Sequence, residues 1–151
     1  MKSTKLLIAT FLILFLGACG TAPVNTMVRT EPHALHVTRT LPPLLGNYPT
    51  FKHNITNATE VQRLYDAVLA LPTIPLGQRY SCPNDIGVFY YLQFQQKSST
   101  VQTKLDATGC RFLSIDNTSL RQTDASFSAL LAKTIGVPRL VEDYHGAPVT
   151  P

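Results

Sequence analysis

The chain has 151 residues, of which 44% are hydrophobic and 15% are charged. This length fits one domain of ordinary size, and the apolar content excludes a chain that is disordered throughout. The formal net charge is only +4, so the chain is neither strongly basic nor strongly acidic.

The first 20 residues have the layout of an export signal. Lys2 and Lys5 form a short positive region, and residues 6–16 are all apolar or small. As a helix this apolar run would span about 16 Å, which is too short for a bilayer core of about 30 Å. The run therefore predicts a secretion signal rather than a permanent transmembrane helix.

The signal ends in the four residues Leu16-Gly17-Ala18-Cys19. These resemble the lipobox of bacterial lipoproteins. The resemblance implies that Cys19 receives a thioether-linked diacylglycerol and that residues 1–18 are cut away as a signal peptide. Two or more acyl chains, such as palmitate, anchor a protein firmly. The expected location is the extracytoplasmic face of the cell membrane, with the lipid on Cys19 as the membrane contact. The alternative is an ordinary cleaved signal that leaves Cys19 as a thiol.

Processing before Cys19 changes the charge of the chain. Loss of Lys2 and Lys5 lowers the basic count from 13 to 11 against 9 acidic residues, so the net charge falls to +2. A chain so close to neutral lacks the basic patch that nucleic acid binding requires. Nucleic acid is therefore not an expected partner.

With Cys19 assigned to lipid, two cysteines remain, Cys82 and Cys110. Outside the cytoplasm such a pair usually forms a disulfide. A metal site is the competing interpretation, but the sequence has no CxxC spacing and no histidine near these cysteines. The sequence thus predicts the disulfide, with no metal and no cofactor.

The rest of the chain divides into a flexible tether (residues 19–32), a domain (33–138) and an irregular tail (139–151). The first expected elements are two strands, at residues 33–40 and 50–56. A helix should follow, because Asn57 can cap it with Glu60 three residues on, and Pro72 should end it. Its apolar stripe is Val61, Leu64, Tyr65 and Val68.

Three consecutive strands are expected at residues 88–95, 100–106 and 110–115, with a three-residue turn at 107–109 between the last two. Pairing Phe94 with Val101 places the large aliphatic side chains on one face of an antiparallel pair. A last helix should begin after a cap at Thr123 or Asp124 and end at Gly136. The expected fold is α+β, in the order β-β-α-β-β-β-α.

Under this register the second face of the three strands carries four residues that we predict to form a binding surface. They are Phe89, Tyr91, Lys104 and Phe112. Aromatic side chains among amides, here Gln93 and Gln102, are typical of recognition surfaces. The alternative is that the N-terminal strands or the last helix cover this face, which would make the aromatics a minor core.

Catalytic motifs are sparse, since the sequence contains no GxSxG and leaves no thiol once the cysteines are lipidated or paired. We therefore expect a non-catalytic binding module, with an envelope protein or a small molecule as partner. One alternative is a small envelope enzyme whose site is assembled from Asp85, Arg111 and His145. Another is an envelope assembly factor. The segments 64–72, 82–87 and 109–110 also resemble segments of exported bacterial proteins, and this resemblance implies no activity.

Overall fold

A computed structural model describes residues 30–42, 51–77 and 79–140. The predicted signal peptide, the lipobox with Cys19, and the tether up to residue 29 lie outside these described residues. Most of the predicted tail, from residue 141 onwards and including His145, also lies outside them.

The fold is α+β, as predicted, and consists of one antiparallel sheet and two helices. The expected elements occur in the expected order, with two further short strands, β3 and β7. The elements are β1 (Ala34–Thr40), β2 (Phe51–Ile55), α1 (Ala58–Ala70), β3 (Thr73–Ile74), β4 (Phe89–Gln95), β5 (Thr100–Asp106), β6 (Phe112–Ile115), β7 (Ser119–Gln122) and α2 (Ala125–Ile135). The strand order in the sheet is β2-β1-β4-β5-β6-β7-β3.

The predicted register between β4 and β5 is confirmed. Phe94 lies opposite Val101, and Tyr90 lies opposite Leu105. The amide of Ala107 extends this ladder by donating to the carbonyl of Val88 at 2.9 Å. Because side chains alternate between the two faces of a strand, this register fixes which residues enter the core.

Both helices pack on the same face of the sheet. Asn57 caps α1, since its side-chain oxygen accepts from the amides of Thr59 and Glu60. Asp124 caps α2 by accepting from the amide of Phe127 at 2.7 Å, and Gly136 ends it with φ 72°. The largest fully buried side chains belong to this helix-covered core: Tyr90, Phe94, Leu35, Leu64, Leu92, Leu105, Leu113, Leu131 and Ile135.

The turn before β6 differs from the prediction. We expected a strand from Cys110 after a three-residue turn, but β6 begins at Phe112. Gly109 and Arg111 both have positive φ, 53° and 55°, so the chain makes a longer turn that contains Cys110. An L residue in this conformation cannot continue a β-ladder, and the strand starts only after it.

Within the described ranges, neither helix has the length and apolarity that crossing a membrane would require.

A candidate binding face

We use the term open face for the side of the sheet that faces away from α1 and α2. In β4 and β5 it carries Phe89, Tyr91, Gln93, Gln102 and Lys104, whose neighbours in the same strands point into the core. No helix of the described chain packs on this face. The N-terminal strand β1 extends the sheet by pairing with β4 edge to edge, so it does not cover the face either.

Three of the four predicted binding residues, Phe89, Tyr91 and Lys104, lie together on the open face. Register places Lys104 directly opposite Tyr91. The Lys104 Nζ lies 3.9 Å from the centre of the Phe89 ring and 5.9 Å from the centre of the Tyr91 ring. These distances are those of cation–π contacts, which hold the ammonium group above the sheet between two half-buried aromatic rings.

Phe112, the fourth predicted residue, has a different neighbour. It lies on β6, and its ring contacts that of Tyr80 edge-on, with the centroids 4.9 Å apart. Tyr80 belongs to the segment that follows β3. Phe112 lies on the same face of the sheet as Lys104, because Ser114, two residues further along β6, is opposite Lys104. Its place in the predicted binding surface stays a prediction, and the contact with Tyr80 is one that sequence reasoning did not find.

The predicted disulfide explains why Tyr80 reaches Phe112. Cys82 and Cys110 are bonded, with their Cα atoms 4.8 Å apart. This bond ties the segment before β4 to the turn before β6, so that Tyr80, two residues before Cys82, lies over Phe112, two residues after Cys110. The sequence signal for the Tyr80 contact was this matching offset on either side of the two cysteines.

A shallow cavity of about 350 Å³ adjoins the Lys104 cluster on the open face. Its lining is mostly side-chain amides and hydroxyls, and includes Tyr91, Gln93, Gln102, Lys104, Ser114 and Asn117. Such groups both donate and accept hydrogen bonds, so the cavity can fix the orientation of a polar ligand. Sequence reasoning did not identify Ser114 and Asn117 as part of this surface.

One rim of this cavity is formed by the turn between β6 and β7. Asp116 and Asn117 adopt φ values of 46° and 56°, which Asp and Asn tolerate better than most residues. The carboxylate of Asp116 accepts from the amide of Gln102 at 2.9 Å, and the Asp116 amide donates back to the Gln102 carbonyl. These two bonds hold the rim against β5.

A second polar network lies at the end of the open face where β5 stops. Asp85 Oδ1 accepts from the amide of Gly87 at 3.0 Å and lies 3.2 Å from the hydroxyl of Thr108. The same hydroxyl lies 3.1 Å from Asp106 Oδ1, which also accepts from the Thr108 amide. Since a hydroxyl has one proton, it can donate to only one of the two carboxylates at a time.

Burial is the largest influence on the pKa of Asp106 and raises it above the ordinary value of 3.8. The negative charge of Asp85 raises this pKa further. The hydrogen bonds from Thr108 and the positive charge of Lys104 lower it, but they do not offset the desolvation. The carboxyl of Asp106 is thus less readily ionised than an exposed one.

The structure does not bring together the described residues of the alternative enzyme hypothesis, Asp85 and Arg111, in one cavity. Asp85 belongs to the network just described, whereas Arg111 lines a groove on the other side of its turn, beside α2. His145 lies outside the described residues. In the described part of the chain no three side chains of the His, Cys, Asp or Glu type are grouped so as to hold a metal ion.

Comparison with known proteins adds nothing to this geometry, because no family model, no curated protein and no solved structure matches the chain.

Proposed function

We propose that the protein is a lipid-anchored, extracytoplasmic binding module whose open face recognises its partner. The observation that carries the proposal is the arrangement of Lys104 between the rings of Phe89 and Tyr91, on a sheet face that no described helix covers. Tyrosine is one of the residue types that are enriched among the side chains that contribute most to binding.

The proposed location rests on two features of the sequence, the signal-like N-terminus and the lipobox that ends at Cys19. The Cys82–Cys110 disulfide supports it, because disulfides persist mainly in oxidising compartments. With the lipid in the membrane, the partner would be an envelope protein or a small molecule of the same compartment.

Recognition rather than catalysis is the role that the open face suits. Its polar cavity is lined by amides, hydroxyls, the ammonium group of Lys104 and the carboxylate of Asp116, which can orient a ligand through hydrogen bonds. Lys104 contributes a positive charge whose position is fixed by two aromatic rings, so that it can select for a partner with a complementary acceptor.

Site-specific photo-crosslinking tests the proposed face directly. A photoreactive side chain is placed at Gln93, which is exposed at the centre of the open face, or at Arg63, which is exposed on α1 across the sheet. After irradiation of intact cells we expect an adduct from position 93 that is lost when Tyr91→Ala and Lys104→Gln are added. Adducts from position 63 alone, or equal adducts from both, would contradict the proposal.

The anchor is tested separately by the mass of the protein extracted from membranes. We expect a chain that begins at Cys19, carries acyl groups there, and has a mass two hydrogens short because of the disulfide. Cys19→Ser should release the protein from the membrane fraction without changing its fold. An unprocessed chain with a free Cys19 thiol would refute the anchor and leave the binding face untouched.

A further inference from the structure

A groove of about 450 Å³ lies on the other side of the molecule, between α2, the turn that follows β5, and the segment after α2. We call it the α2 groove. Its floor is apolar and buried, formed by Leu105, Ala107, Ala132 and Leu140, which are at most 6% exposed. Its size falls within the range of about 300–1,000 Å³ that is typical of small-molecule sites.

The side of α2 that faces the α2 groove carries small side chains, and its large apolar side chains lie on the other side of the helix. Phe127, Leu131 and Ile135 point into the core, where they are buried. The side that faces the groove carries Ala125 and Ala129, whose short side chains leave space above the floor. The described residues therefore leave this space unfilled.

Two arginines, both exposed, lie at the rim of this apolar floor: Arg111 and Arg139. The backbone of Arg111 is fixed, since its amide donates to the carbonyl of Thr108 and its carbonyl accepts from the amide of Thr123. Guanidinium groups remain charged at all physiological pH values and bind carboxylates in a paired, planar geometry.

One carboxyl group also belongs to the lining, that of Asp106. The Oδ1 atom of Asp106 accepts a hydrogen bond from the amide of Thr108, in the turn that follows β5. The rim thus carries the guanidinium groups of Arg111 and Arg139 beside this one carboxyl. An apolar floor with guanidinium groups at its rim complements a ligand that has an apolar chain and a negative head.

We propose that the α2 groove binds a single-chain carboxylic amphiphile, with its chain along the apolar floor and its carboxylate between Arg111 and Arg139. The volume holds one short acyl chain but not the two chains of a phospholipid. The ligand is therefore a free amphiphile rather than a lipid of the bilayer. This site lies on the helix side of the sheet and shares Asp106 with the network at the end of the open face, but none of the residues around Lys104 lines it.

Titration calorimetry with decanoate tests the proposal on the full-length protein. We expect saturable binding with one site, and amide shift changes at Arg111, Ser128 and Ala132 in NMR spectra. Decanol, which has the chain without the charge, should bind at least tenfold more weakly. No saturable binding of decanoate would overturn the proposal.

Three variants separate the two parts of the site. Arg111→Asn removes the charge and keeps a residue that tolerates positive φ. We expect this variant, combined with Arg139→Gln, to raise the Kd for decanoate tenfold or more. Ala129→Phe, at an exposed helix position, should fill the groove and abolish binding. The control Lys97→Gln removes one exposed positive charge from the β4–β5 turn and should leave the Kd unchanged.

Each outcome decides the question, provided that circular dichroism shows all variants to be folded. Binding that is unaffected by Arg111→Asn with Arg139→Gln and by Ala129→Phe would place decanoate elsewhere and overturn the proposal. Binding to phosphatidylglycerol vesicles without binding to free decanoate would show a membrane-contact surface instead. Because neither result involves Gln93 or Tyr91, failure here would not affect the proposed function of the open face.

Discussion

The two faces of β4 carry similar side chains but lie in different surroundings. Tyr90, Leu92 and Phe94 are fully buried beneath the helices, whereas Phe89 and Tyr91 on the other side are only half-buried. Alternation along the strand decides which side each residue joins, but it does not decide what covers that side. The open face and the core face of β4 thus have the same aromatic content, and the difference comes from where the helices pack.

The largest expected effect comes from truncating one aromatic on each face of β4. Phe94→Ala should lower the free energy of unfolding by about 3–5 kcal/mol, since it leaves a cavity in the core. Tyr91→Ala should cost roughly 1 kcal/mol or less, because its ring is only half-buried. Urea denaturation of both variants measures the difference. Equal losses would mean that the open face is a second core.

The disulfide gives the next effect, because it holds the segment that carries Tyr80 against Phe112. Its removal in the double variant Cys82→Ala, Cys110→Ala should lower stability by about 3 kcal/mol, as expected for a loop of this length. It should also free Tyr80 from Phe112, which tyrosine fluorescence would report. Reducing agent should affect the wild type in the same direction and leave the double variant unchanged.

A smaller effect is expected for Lys104→Gln on the open face. The substitution removes the cation–π contacts with Phe89 and Tyr91, which at a partly exposed site are worth about 0.5–1 kcal/mol. The matched control is Lys97→Gln, an exposed lysine in the turn between the same two strands. Equal stability of the two variants in urea denaturation would show that the ring contacts of Lys104 contribute nothing.

Much of the fold could be predicted from the sequence because its signals are local. The cap at Asn57, the stop at Gly136 and the alternation along β4 each depend on a few neighbouring residues, and each is found in the structure. The short strands β3 and β7 were missed because two and four residues carry too little periodicity to stand out.

The candidate sites were less accessible to sequence reasoning, because their parts come together through the tertiary fold. The Lys104 cluster was predicted, since register alone sets its neighbours. The contact of Tyr80 with Phe112 depends on how a loop returns over the sheet, and the α2 groove depends on the path of the chain after the helix. Neither path is encoded in a local pattern.

The pH dependence of stability tests the Asp106 network at the end of the open face. Because burial raises the pKa of Asp106 in the folded state, the folded protein holds this proton more tightly than the unfolded chain does. The contribution of Asp106 to stability is therefore fully present below its unfolded pKa of 3.8 and is lost as pH rises through the raised, folded pKa.

The variant Asp106→Asn keeps an acceptor for the Thr108 amide but cannot ionise. Urea denaturation across this pH range should show the variant gaining stability relative to the wild type as pH rises, while the surface control Glu31→Gln shows no such gain. If the wild type gained on Asp106→Asn with rising pH, the carboxylate would be stabilised by its partners, and the dominance of desolvation at this site would be wrong.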